Sequence, residues 1–279
     1  MAFRRGHRLD EALECHEQSL DLARASADRL GEARSLNLIG LVYLDSRRLD
    51  AAADQFRRAA AVFQDLDEPH RAAMALANAA STHLEAGRLP EAGTAAREAL
   101  AAHRALGNQR SVGNALYITA EVSREQGDLA AAREAIDEAI AIALALRNHT
   151  LEGFWLITLG NVQRAQGAYG DALASYQRSA MLHRRLGDRT REALAWRGTG
   201  QTYAAMDRED EAAAFHRQAI AVHRDLGDTW ELAVESEHLA ACLQATDPDA
   251  ARALRAEALT HLTEYTDPRA TALRTRIDG

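Results

Sequence analysis

Small residues recur along this chain every forty positions. One column reads Gly40, Ala80, Ala120, Gly160, Gly200 and Ala240. A second reads Ala12, Ala52, Ala92, Ala132, Ala172 and Ala212, and a third Leu66, Leu106, Leu146, Leu186 and Leu226. Self-similarity at a fixed period marks a solenoid, in which each unit buries its apolar face against its neighbours rather than in one central core. At 279 residues the chain is near the upper limit for a single globular core, whereas stacked units add length without one.

Composition decides which kind of solenoid. Apolar residues make up 47% of the chain but aromatics only 5%, so the apolar share is mostly Ala and Leu, both strong helix formers. The four prolines, Pro69, Pro90, Pro248 and Pro268, stand at expected helix boundaries. An all-α fold of about fourteen antiparallel helices follows, with helix A, a short turn and helix B in each unit. Gly87, Gly127 and Gly167 suit the left-handed residue that ends a helix. Arg47 and Asp207 replace that glycine in two repeats, where strained turns are expected. The runs Leu106-Gly107-Asn108, Leu186-Gly187-Asp188 and Leu226-Gly227-Asp228 mark stops between repeats, their Asn or Asp capping the next helix.

The whole chain, 1–279, reads as one domain. Residues 1–26 are half a repeat, a helix B without its helix A. Full repeats run over 27–66, 67–106, 107–146, 147–186 and 187–226, and a shorter one over 227–264. Residues 265–279 form a capping helix started by Asp267-Pro268, as Asp247-Pro248 starts the helix before it. An unmated amphipathic helix leaves an apolar face open. The expectation is either a homodimer through this half repeat or a longer parent chain.

From Leu36 the order is Leu36, Ile39-Gly40, Tyr43, Ala52, Phe56, Ala59. The fifth repeat gives Trp196, Thr199-Gly200, Tyr203, Ala212, His216, Ala219. This pattern resembles the tetratricopeptide (TPR) repeat, which implies a right-handed TPR-type α-solenoid. Trp155 and Trp196 are then core residues. The forty-residue unit, with its Gly-Asp-Arg at 187–189 and recurring Glu-Ala phrasing, is similar to the C-terminal TPR regions of actinobacterial AfsR-like regulators and of other signal-transducing ATPases with numerous domains (STAND proteins). That resemblance implies a sensor or interaction region of a transcriptional or signalling regulator.

The 33 basic residues are all Arg, which reads as a GC-rich bacterial genome, and the formal charge of −8 argues against direct nucleic-acid binding. No apolar run approaches the ~20 residues of a membrane span, and the start lacks a secretory hydrophobic core. A cytoplasmic protein is expected, with no membrane partner. Cys15 and Cys242 read as buried free thiols. His103, His183 and His223 repeat at forty-residue multiples, but helices packed at ~8–10 Å keep such positions from sharing one ion. Gly198 and Gly200 imitate part of a phosphate loop without the preceding strand that such a loop needs. No metal site, cofactor or catalytic constellation is expected, and the chain reads as a non-enzyme.

Helix A lines the groove of such an array. Side chains flanking the packing column mix aromatics, amides and arginines, the composition of recognition surfaces. The candidate ligand-binding residues are Asn114, Tyr117, Glu121, Arg124, Phe154, Ile157, Asn161, Arg164, Arg197 and Gln201. Asn161 is suited to a peptide backbone, and Arg164 and Arg197 to a carboxylate. The reading is a protein- or peptide-binding scaffold; the segment bound belongs to another protein or to upstream domains. The alternatives are a small-molecule sensor and a self-associating structural module.

Overall fold

The computed structural model describes residues 2–278, with side chains from residue 8 onward. Met1, Gly279 and the first side chains of the predicted half repeat lie outside the described residues. Fourteen α-helices and no strand occur among those described. They fall into two compact units, Met1–Asp128 and Leu129–Gly279. The first holds α1 (Ala2–Ala25), α2 (Arg29–Asp45), α3 (Leu49–Asp65), α4 (Pro69–Glu85), α5 (Leu89–Ala105) and α6 (Gln109–Glu125). The second holds α7 (Leu129–Ala145), α8 (His149–Ala165), α9 (Tyr169–Leu186), α10 (Arg189–Ala204), α11 (Glu209–Leu226), α12 (Thr229–Leu243), α13 (Pro248–Leu262) and α14 (Pro268–Asp278). Within each unit consecutive helices pack as antiparallel hairpins, and this is a TPR-like α-solenoid architecture.

A single turn, repeated every twenty residues, sets this regularity. At each junction from α1 to α12 the chain passes through one left-handed residue. Glycine fills it at Gly87, Gly107, Gly127, Gly167, Gly187 and Gly227; Ala27, Arg47, Asp67, Arg147 and Asp207 fill the others with φ between 51° and 57°. The backbone bonds repeat too: Asp188 N–H donates to His183 O at 2.9 Å and Gly187 N–H to Arg184 O at 3.2 Å, as Arg48 does to Tyr43 and Arg47 to Leu44. This is the Schellman arrangement, which satisfies the last carbonyls of a helix. The turn within a repeat and the stop between repeats, two devices in the sequence, are one device in the structure. Asn108, Asp188 and Asp228 do cap the helix that follows, accepting from Ser111, Arg191 and Glu231 N–H at 3.0–3.2 Å. Only the last two junctions depart from the pattern, and there Asp247 and Asp267 supply the caps.

The small-residue column is where rings sit. A Cβ built on Gly40 would lie 2.7 Å from the Phe56 ring, and one on Gly160 2.6 Å from Tyr176. Gly198 is closer still, 2.2 Å from the same Tyr176 ring, so this tyrosine is clasped between α8 and α10. Trp155, Tyr176 and Phe56 are the largest fully buried side chains, each stabilising by about 2–3 kcal/mol through burial. Two expectations are corrected. Trp196 is only partly buried, against Ala193, Ala219 and Val222, because it lies at the margin of its small cluster. Cys15 is exposed because the outer face of α1 has no helix against it among those described; Cys242 is buried. Burial, with a hydrogen bond to Glu209, pushes the Cys242 thiol up to about 12, so it stays protonated and inert.

Candidate functional site

The ten candidate residues divide between the two units. Asn114, Tyr117, Glu121 and Arg124 lie on α6 in the first; the other six lie on α8 and α10 in the second. On α6, Asn114 is exposed, and Tyr117 packs beside Ile118, Ala77 and Leu89. Arg124 is tied to its own helix: Nη2 reaches Glu121 at 2.8 Å and Glu125 at 2.6 Å. Burial pulls the Arg124 pKa down, but the two carboxylates outweigh it and hold it above the ordinary value. This end of α6 thus presents an internally paired cluster with one carboxylate charge in excess, rather than a free cation.

In the second unit α8 touches α10, and α10 touches α12. Each presents half-buried side chains at i, i+3 and i+7: Phe154, Ile157 and Asn161 on α8, Leu194, Arg197 and Gln201 on α10, Glu231, Val234 and His238 on α12. Asn161 Oδ1 accepts a 2.7 Å bond from the Tyr176 hydroxyl, which leaves its amide N–H groups as donors. One turn further, the Arg164 Nε is buried with no hydrogen-bond partner. The Arg191 guanidinium stands 5.2 Å from the Phe154 ring centroid, within cation–π range. The α8 face therefore combines amide donors, an uncommitted guanidinium and an aromatic ring.

The α10–α12 side is different. Arg197 donates to both Glu231 and Glu235 on α12. Glu235 is completely buried and also accepts from His216 Nδ1 at 2.8 Å. The His216 ring stacks on His238 at 5.2 Å, and His238 Nε2 lies 2.9 Å from the Gln201 amide nitrogen. An amide nitrogen can only donate, so His238 Nε2 accepts and the imidazole is neutral. Burial is the largest cause holding His238 down to about 3. Burial alone would raise the Glu235 pKa; the Arg197 charge and the His216 hydrogen bond outweigh it and bring the carboxyl to about 2. Arg197 is raised above its ordinary value by the same two carboxylates against burial. Arg197 and Gln201, read in the sequence as ligand contacts, are thus engaged by α12.

Sequence reasoning did not find this cluster. One signal was present: His216 occupies the column of Phe56 and Tyr176, and a polar ring in a core position needs a partner. Glu231, Glu235 and His238, at i, i+4 and i+7 in α12, were the other half. The buried histidine column behaves otherwise. His183 and His223 are fully buried with neither ring nitrogen bonded, and burial lowers the pKa of each.

These features define a helical-repeat array whose A helices carry a mixed polar and aromatic face. The chain belongs to the tetratricopeptide repeat family, whose model matches residues 1–65, 111–184 and 151–225. Among solved structures it is similar to a Rap protein complexed with competence and sporulation factor, at 14% identity and TM-score 0.70, covering 92% of this chain and 77% of that one. Aspartyl phosphate phosphatase F from Bacillus subtilis aligns at 16% identity and TM-score 0.68, covering 93% and 73%. A STAND protein with a tetratricopeptide repeat sensor, from Pyrococcus horikoshii, aligns at 13% identity and TM-score 0.64, covering 94% of this chain and 40% of that one. No curated relative matches the sequence. At these identities the likeness establishes the fold.

Proposed function

We propose that this chain is a non-catalytic TPR scaffold that binds a peptide or protein segment on the A-helix face of its second unit. It would serve as the sensor or interaction region of a bacterial regulator in the cytoplasm, with the array 1–279 acting as one functional domain. The observation that carries this reading is the α8 face. Arg164 there has an unpartnered Nε within one turn of the Asn161 amide, beside a half-buried Phe154. An uncommitted guanidinium suits a carboxylate, from a peptide C-terminus or an acidic side chain, and the amide suits a peptide backbone. Arg197 and Gln201 shape the neighbouring wall through their α12 partners. Asn114, Tyr117, Glu121 and Arg124 form a second candidate surface on α6. The Rap and STAND neighbours, one complexed with a factor and one described as carrying a sensor, support this class of role by analogy of fold.

The experiment is selection of ligands from a displayed peptide library, followed by fluorescence anisotropy on the purified chain. Arg164→Ala should weaken a selected peptide roughly tenfold or more, the loss of one charge-assisted contact, with helicity unchanged by circular dichroism. Equal affinity in a folded Phe154→Ala/Arg164→Ala variant would remove this face from the assignment. For the α1 edge, where Leu22 is 71% exposed, self-association is the corresponding proposal. A dilution series in light scattering tests it, and a monomer throughout sinks it.

A further inference from the structure

The first unit contains a cleft made mostly by B helices, separate from the α6 and α8 faces. Its volume is about 370 Å³, and it is lined by Arg57 of α3, Leu76 and His83 of α4, and Pro90, Glu91, Thr94, Ala95 and Glu98 of α5. Another repeat shows how such space can be filled. In the fifth repeat the positions equivalent to His83 and Ala95 hold Tyr203 and Phe215, whose rings stack at 5.7 Å. The second repeat puts an imidazole and a methyl group where those two rings would be. Such a loss of ring volume leaves lining atoms without contact partners.

The floor is Leu76, His83 and Ala95; the rim is the exposed set Arg57, Pro90, Glu91, Thr94 and Glu98. His83 is only 4% exposed, and its Nδ1 has no hydrogen-bond partner. A buried polar atom left unpaired costs about 1–3 kcal/mol, so the cleft floor is a site where the fold has not closed its own packing. On α5, Glu91, Thr94, Ala95 and Glu98 fall at i, i+3, i+4 and i+7, along one face. The two carboxylates stand two turns apart, roughly 10 Å along the axis. Arg57 Nη2 is 4.0 Å from Asp54 Oδ1, the outer limit of an ion pair, so its guanidinium retains most of its capacity.

The cleft thus offers two anions, one cation and an apolar floor with a neutral polar ring. Its complement is a molecule with two cationic groups and one carboxylate around an aliphatic stem. We propose that the cleft between α3 and α5 binds a free basic α-amino acid. Its carboxylate would lie on Arg57, its two cationic groups on Glu91 and Glu98, and its methylene stem over Leu76 and Ala95. The volume is in the range of small-ligand sites, ~300–1,000 Å³. This site is independent of the peptide-binding face, so the array would have both a small-molecule input and a macromolecular partner.

Calorimetric titration of the full chain tests the site with L-lysine, L-ornithine and L-arginine. Norleucine, which lacks the side-chain cation, and lysinamide, which lacks the carboxylate, are the comparison probes. At least one basic amino acid should bind, with norleucine and lysinamide each weaker by roughly tenfold or more, the loss of one charged contact. N-acetyl-lysine separates a free amino acid from a lysine at a peptide terminus: only the former needs the α-ammonium group. Glu98→Gln, on the exposed rim, should weaken binding by a similar factor without affecting folding. Arg57→Gln should erase the preference for lysine over lysinamide. Ala95→Phe, which restores the ring of the fifth repeat, should abolish binding. The proposal is overturned if none of the three amino acids binds at ~10 mM, weaker than any useful sensor. Binding that neither Glu98→Gln nor Ala95→Phe alters overturns it as well.

Discussion

Tyr176 sets how closely α8, α9 and α10 approach, because its ring occupies the space that side chains at Gly160 and Gly198 would need. Gly198→Ala would drive a methyl group to 2.2 Å from that ring. Overpacking of this kind costs about 1–3 kcal/mol, measurable as a lower midpoint in urea unfolding. Gly170, also helical, meets nothing within 4 Å. Gly170→Ala should therefore stabilise by about 0.5–1 kcal/mol through the unfolded chain alone. The turn residues give a prediction of opposite sign at a different position. Arg147 holds φ at 51° where equivalent junctions use glycine, and a side chain in that region costs roughly 1 kcal/mol. Arg147→Gly should raise the melting temperature, whereas Gly187→Ala should lower it.

At the scale of helices, α12 is fastened to α10 and α11 by Glu235, which joins Arg197 and His216. Glutamine there keeps one acceptor oxygen for the two donors Arg197 and His216, turns an amide N–H2 toward the other, and removes the charge that Arg197 is buried against. Glu235→Gln should destabilise by about 3–5 kcal/mol, as expected when one member of a buried ion pair is lost; a loss below about 1 kcal/mol would show the pair to be a solvated contact. This element also marks how far the sequence could be read. The columns of Gly40, Ala52 and their equivalents announced the hairpins, the helix count and the turn glycines, because a period of forty with helical spacing permits little else. The same register is what marks Arg164 and Asn161 as candidate groove residues, the reading that the proposed function carries forward. The use of Arg197 was not, since its partners lie 34 and 38 residues away, off the repeat period. The cleft beside His83 was likewise hidden: a missing ring is visible only when two columns are compared in three dimensions. Ala27 and Arg147 at left-handed turns were also missed, because neither residue type announces positive φ.

Across the whole molecule, buried neutral imidazoles make stability depend on acidity. His83, His103, His183, His223 and His238 all have lowered pKa values, with burial the first cause in each case. Between those folded values and the ordinary 6.5, the unfolded chain binds more protons, so stability rises with pH through that window. Glu235, at about 2, adds in the same direction: its contribution is present above the ordinary carboxylate range and is lost as pH falls toward 2. The melting temperature should be highest near pH 7 and fall steadily to pH 4, with a shallower decline in His223→Leu. A flat profile would show that these rings are solvated. The recurrent turn has a further consequence. Each junction from α1 to α12 closes with backbone bonds spanning no more than six residues, so none of these bonds links one hairpin to another. The covalent chain at a junction is then little more than a tether. A nick there removes a tether while leaving the helix faces to find each other, so continuity of the chain at a junction contributes connection rather than contact.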